Sequence, residues 1–119
     1  MKVALLGASD KEDRFAYKAF KKLTAAGHQV FLIHPKLVSV EGVPIYKDLT
    51  MLPEKPDAIT LYISAAVSTP LAQVLIQSGA QRVIFNPGTE NPLLEAELRT
   101  AGISVIHDCT LMMLDGGRF

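Results

Sequence analysis

The sequence of 119 residues has no tryptophan, a single cysteine and no excess of charge, with twelve lysines and arginines against twelve aspartates and glutamates. Each shortage excludes something. A lone Cys109 cannot close a disulfide within the chain, which excludes a cysteine-stapled secreted scaffold and fits a reducing cytoplasm. Balanced charge excludes the broad basic footprint of a general nucleic-acid binder, so any anion site has to be local. The apolar run before Gly7, Val3-Ala4-Leu5-Leu6, is too short for a signal-peptide core or a membrane span, so no membrane role is expected. The three histidines, His28, His34 and His107, are scattered, and no CxxC or HxxxH spacing supports a metal site. GxGxxG, P-loop and GxSxG patterns are all missing.

What is present is an apolar, evenly built chain. Hydrophobic residues make up 49% of it, and there is no repeat, linker or low-complexity stretch. The length suits a single domain, 1–119, since domains cluster near ~100–150 residues and bury roughly two-thirds of their unfolded surface.

Strand and helix patterns alternate from the start. Val3–Leu6, Val30–Ile33, Ala58–Ile63, Arg82–Phe85 and Ile103–Ile106 are short apolar runs with the signature of buried strands. Val43–Tyr46 is a weaker candidate confined to an edge, because Pro44 cannot donate to a central ladder. Between Asp13 and Ala26, apolar residues at Phe15, Ala16, Ala19, Phe20, Leu23 and Ala26 predict one helix face, stopped by Gly27. Thr69-Pro70 and Asn91-Pro92 each read as a cap followed by proline at the first helical position. Those helices are expected to run to Ser78 and to end before Gly102. Glu41-Gly42 reads as a turn, and the tail Gly116–Phe119 is expected to fray.

Strands joined by crossover helices predict a three-layer α/β, doubly wound parallel sheet of order 3-2-1-4-5-6. In that order strands one and four are neighbours at the topological switch point, where ligands bind at the carboxyl ends. Small and polar residues collect at this edge: Gly7-Ala8-Ser9, His34-Pro35-Lys36, Ser64, Asn86-Pro87-Gly88 and His107-Asp108-Cys109.

The first of these loops is the most informative. Gly7 permits a tight turn, Ala8 and Ser9 let a phosphate approach the backbone, and the next helix offers free N–H groups and its positive end. Arg14 lies near the start of that helix. A valine at Gly7 is therefore expected to cost binding sharply and the fold only modestly. After strand two, an NAD site ordinarily places a carboxylate for the ribose hydroxyl. Here the cation Lys36 stands instead, which suits an extra ribose phosphate, as in NADP or in the 3′-phosphate of coenzyme A.

Taken in order, these residues resemble the stand-alone coenzyme A-binding domain proteins, whose fold recurs as the nucleotide domain of succinyl-CoA synthetase α subunits. Gly7-Ala8-Ser9, Arg14, Pro35-Lys36, the segment Glu41–Tyr46, Pro56 before Asp57-Ala58-Ile59, Gly88, and the closing Gly102–Cys109 carry the likeness over nearly the whole chain. The resemblance implies a Rossmann-like fold that binds coenzyme A or acyl-coenzyme A, with no established reaction. Contacts to that cofactor are expected from Gly7, Ala8, Ser9, Arg14, Pro35, Lys36, Ser64, Asn86 and Gly88. Asn86 stands where glutamine is common, and Ser64-Ala65-Ala66 lacks the proline common after the fourth strand.

The function read from this stage is a coenzyme A-binding carrier or sensor without its own catalysis. The alternative is an NAD(P)-binding redox sensor or oxidoreductase fragment. An acyl-transfer reading rests on His107 and Cys109, which face the same way on an extended chain. Against it stands the ordinary fate of a free cysteine, which is packing. A homo-oligomer or another protein partner is left open.

Overall fold

The computed structural model describes residues 1–119. Seven strands form one sheet: β1 (Lys2–Leu6), β2 (Gln29–Ile33), β3 (Ser39–Val40), β4 (Val43–Tyr46), β5 (Ala58–Leu61), β6 (Arg82–Phe85) and β7 (Ser104–His107). Their order is β3-β4-β2-β1-β5-β6-β7. The six parallel strands β4-β2-β1-β5-β6-β7 keep the order expected from the sequence, with β1 beside β5. The departure is β3, a two-residue strand that pairs antiparallel with β4 at the outer edge. Glu41 and Gly42 join them with φ of 50° and 80°, the paired positive angles of a tight hairpin turn. The Glu41 side chain is held by Lys21 at 2.8 Å and by the Tyr17 hydroxyl.

Burial follows from the pleat. Successive side chains alternate between faces, and both faces are covered. Ala4, Leu6, Ile59, Leu61, Val83 and Phe85 pack with helices α3 (Ala72–Gln77) and α4 (Pro92–Thr100). Val3, Leu5 and Leu32 pack instead under α1 (Phe15–Ala25), with α5 (Thr110–Asp115) alongside. The architecture is thus a three-layer, Rossmann-like α/β fold. None of its helices is long and apolar enough to cross a membrane.

Three local expectations are corrected. The helix expected from Thr69 begins earlier, as the short α2 (Ala65–Ser68) after Ser64, passes through a 3-10 turn at Thr69–Leu71, and resumes as α3. Pro70 falls inside this helical run, where its missing N–H breaks the ladder and tightens the turn. Thr69 is no cap, because its hydroxyl donates back to the Ala65 carbonyl at 2.8 Å. Phe15 and Ala26 do not join the buried face of α1, which consists of Ala16, Ala19, Phe20 and Leu23; Phe15 is 67% exposed, and Ala26 is the exposed residue that ends the helix. Asn91 does cap α4 as expected, accepting from the Leu94 N–H at 3.2 Å.

The tail, expected to fray, is pinned. Arg118 bonds Asp108 at 2.6 Å, Arg82 donates to the Phe119 carbonyl at 2.8 Å, and its guanidinium lies 4.7 Å from the Phe119 ring centre. Arg118, with the Cys109 N–H, holds the Asp108 carboxyl below the usual carboxylate range. A lowered carboxyl stabilises the fold above its unfolded pKa, and that stability is lost as pH falls through the folded value. Arg118→Gln is therefore expected to lower stability at neutral pH, with the gap to the wild type closing in acid. Urea titrations at about pH 6 and about pH 3 check this. A gap of equal size at both would count against the Asp108 pairing.

Candidate nucleotide cleft at the switch point

The ends of β1, β2 and β5 are tied together by the first loop. The Ile33 carbonyl accepts from the N–H groups of both Gly7 and Ala8, each at 3.1 Å, while the Leu6 carbonyl accepts from Tyr62 N–H at 2.8 Å. Gly7 sits at φ +93°, and a Cβ there would lie 2.5 Å from the Tyr62 carbonyl oxygen. Only glycine lets the chain turn this close to the neighbouring strand.

A cleft of about 410 Å³ opens above this crossing. Gly7, Ala8, Ser9, Asp10, Lys11 and Arg14 line it, together with Phe15, His34 and Leu37. The helix α1 starts here without any side-chain cap on its first turn. The N–H groups of Phe15, Ala16 and Tyr17 have no partner in the chain, so the helix presents its positive end and free donors, which favour an anion. Ser9 Oγ braces the loop by accepting from the Lys11 N–H at 3.1 Å.

His34 has a positional role. Its Nδ1 accepts from the N–H groups of Lys36 and Leu37, each at 3.0 Å. Nδ1 is therefore unprotonated and Nε2 carries the proton. The imidazole shapes the turn on which Pro35 and Lys36 stand exposed beside the cleft.

The structure brings Gly7, Ala8, Ser9 and Arg14 together and puts Pro35 and Lys36 at their edge. Ser64 and Gly88 lie farther along the same sheet edge, exposed, after β5 and β6. Asn86 is placed differently: it is 2% exposed and works beneath that edge. Its amide donates to Thr60 Oγ1 at 2.7 Å and to the Leu61 carbonyl at 2.8 Å, while its oxygen accepts from Thr110 N–H at 2.8 Å.

Phe15 and Tyr62 are among the cleft residues that the sequence reading did not place there, as are Ala16 and Leu37. Phe15 was assigned to the core by spacing alone. Tyr62, read as strand, lines the cleft, while its hydroxyl is buried beside those of Thr60 and Thr110 without a hydrogen bond of good geometry. Burial pushes this phenol up to about 12, with the neighbouring Thr110 and Thr60 hydroxyls pulling the other way and Cys109 adding to the rise, so it stays protonated. No sequence signal marks it, because the burial of its hydroxyl comes from tertiary packing.

The thiol–imidazole pair read from His107 and Cys109 is not formed. His107 Nε2 bonds Glu95 at 2.6 Å. Cys109 is half-buried ahead of α5.

A family model described as a CoA binding domain matches residues 1–115. The chain belongs to the CoA binding domain family. Among solved structures, that of an uncharacterized protein shares 36% identity at a TM-score of 0.93, over 99% of this chain and 97% of that one. A hypothetical protein from Pyrococcus horikoshii OT3 shares 26% at 0.91, over 96% and 81%. A similar fold occurs in the dinucleotide forming acetyl-coenzyme A synthetase 1 of Ca. Korarchaeum cryptofilum, at 17% identity and a TM-score of 0.77. There it covers 90% of this chain but 25% of the synthetase. As a CoA binding domain, the chain has features at this cleft that fit the group: unpaired N–H donors at α1 for a diphosphate and a cation at the cleft edge.

Proposed function

We propose that the protein binds coenzyme A in the switch-point cleft and serves as a carrier or sensor of it, without turnover of its own. The observation that carries this reading is the uncapped start of α1, whose N–H groups are free and whose first residues, Phe15 and Ala16, line the cleft together with Gly7–Ser9. A diphosphate satisfies both the donors and the helix dipole there. Arg14 adds a charge at the same place. Lys36, on the turn fixed by His34, is the group for a ribose 3′-phosphate. Bound coenzyme A would supply a thiol for acyl groups, and the chain's part is to hold and orient it.

Native mass spectrometry of the protein purified without added ligand tests the reading. Coenzyme A or an acyl form of it is the expected companion; NADP in its place would favour the redox alternative. Calorimetry is expected to rank coenzyme A above dephospho-coenzyme A by ~1 kcal/mol, a typical exposed charge-assisted contact. Lys36→Ala should close most of that gap. Equal wild-type affinities for the two ligands would remove Lys36 from the site.

A further inference from the structure

The far end of the same sheet edge holds a second polar device. Leu6, Leu61, Phe85 and His107 are register partners across β1, β5, β6 and β7, each the last residue of its strand. Gly7 follows one end of this row, and His107 is the other. The imidazole is oriented. Its Nε2 bonds Glu95 Oε1 at 2.6 Å, and its ring leans on Phe85 with centres 5.9 Å apart. Glu95 is 4% exposed and its other oxygen accepts from Asn91 N–H at 2.8 Å, so the carboxylate is fixed at both ends. With Nε2–H donating to the carboxylate, Nδ1 is the acceptor that the neutral imidazole presents. No group in the chain bonds Nδ1, and the side chain is 49% exposed.

The span fits one ligand. Three strand spacings of ~4.8 Å put His107 ~14 Å from the phosphate loop. The arm of coenzyme A from diphosphate to sulfur runs through two amides and has the covalent length of roughly four extended residues, ~15 Å. Laid along the strand ends, it would pass Ser64 and Gly88, the exposed residues after β5 and β6.

We propose that His107, positioned by Glu95, is the base that takes the thiol proton of coenzyme A bound with its diphosphate at the Gly7–Ser9 loop. The inference rests on the coenzyme A reading above. The S–H bond breaks, the proton passes to Nδ1, and the electron pair stays on sulfur as a thiolate. The imidazolium keeps its Nε2 hydrogen bond to Glu95. The charged groups facing His107 are few. Glu95 and Arg99 come from α4, Arg99 standing 4.0 Å from the same carboxylate oxygen. Glu90, after β6, is close enough to feel the imidazole's charge. Asp108, next in the chain, is engaged with Arg118. The two carboxylates balance the charge the proton brings, and a carrier so equipped presents its cofactor ready for acylation or alkylation.

The test is a pH titration of thiolate absorbance for the coenzyme A complex at saturating protein, with the desulfo-coenzyme A complex subtracted so that Cys109 cancels. About tenfold more thiolate is expected at neutral pH than in free coenzyme A, since alkyl thiols ionise near ~8.5. His107→Gln is expected to return the titration to that of the free cofactor. Glu95→Gln should move it the same way if it folds, and the half-exposed His107 variant decides the matter if it does not. Iodoacetamide alkylation of the bound thiol should follow the same profile. A titration in the complex equal to that of free coenzyme A, or one unmoved by His107→Gln, overturns the proposal while leaving the cofactor site standing. Calorimetry showing no coenzyme A binding removes both.

Discussion

Gly7→Val is expected to lower stability by about 3–5 kcal/mol and to abolish tight coenzyme A binding in whatever fraction still folds. Two effects add. At φ +93° any L side chain is strained, and a β-branched one most of all. The new Cβ would also stand 2.5 Å from the Tyr62 carbonyl oxygen and 2.9 Å from its carbon. Neither atom belongs to a flexible side chain. Tyr62 is anchored through its own N–H to Leu6, and the loop is anchored through Gly7 and Ala8 to Ile33. Relief therefore requires parting β1 from β5 at the switch point. Gly7→Ala meets the same atoms and should fall only slightly short of the valine. Urea unfolding measures the loss. A Gly7→Val protein within about 0.5 kcal/mol of the wild type would show that the loop yields without disturbing the sheet.

This corrects the expectation, drawn from sequence, that the fold would survive such a change with modest loss. The tight turn at Gly7 was legible from one glycine between a strand and a helix. The passage of Tyr62 beneath it was not, because that contact joins positions 55 residues apart, Gly7 and Tyr62. The same division runs through the rest of the fold. Val3–Leu6 and Val30–Ile33 announce themselves because a central parallel strand is apolar on both faces. The strand β3 has only Ser39 and Val40 and one partner, too little pattern to read. Thr69-Pro70 reads locally as a start, yet Ser64 already opens a helical turn upstream, and nothing local says which of two adjacent starts prevails.

In the site, the cluster of Gly7, Ala8, Ser9 and Arg14 was legible because topology alone brings a first loop to the switch point. Phe15 was misplaced because helical spacing counts apolar residues without locating the end of the sheet. The first turn of α1 overhangs that edge, so a residue in phase with the core still faces the cleft. The pairing of Glu95 with His107 joins a helix to a strand and leaves no trace in spacing. His107 was noticed for its neighbour Cys109, and its true partner lies on α4.

Asn86 was read as a cofactor contact from its place after β6, and its surroundings in the fold give the second large expectation. Asn86→Ala should destabilise the protein by about 3 kcal/mol, on the order of 1 kcal/mol for each of three buried hydrogen bonds. The loss is not confined to β6. Thr60 and Thr110 are fully buried and bond each other at 2.8 Å, so the amide completes a polar knot joining β5, β6 and the start of α5. Without it the Thr110 N–H and the Leu61 carbonyl lose their side-chain partner inside the core. Asn86→Asp is expected to be no better. A carboxylate can still accept from Thr110 N–H, but it turns a second oxygen toward the Leu61 carbonyl, where a donor is required. Urea unfolding gives the magnitude, and amide exchange gives the location: Thr110 and its neighbours in α5 should lose protection before the centre of β1. Coenzyme A affinity should fall less than stability does, because the amide acts from below the edge. If Asn86→Ala instead kept its stability within about 1 kcal/mol and lost coenzyme A binding outright, the residue would be a ligand contact, as its position in the sequence first suggested.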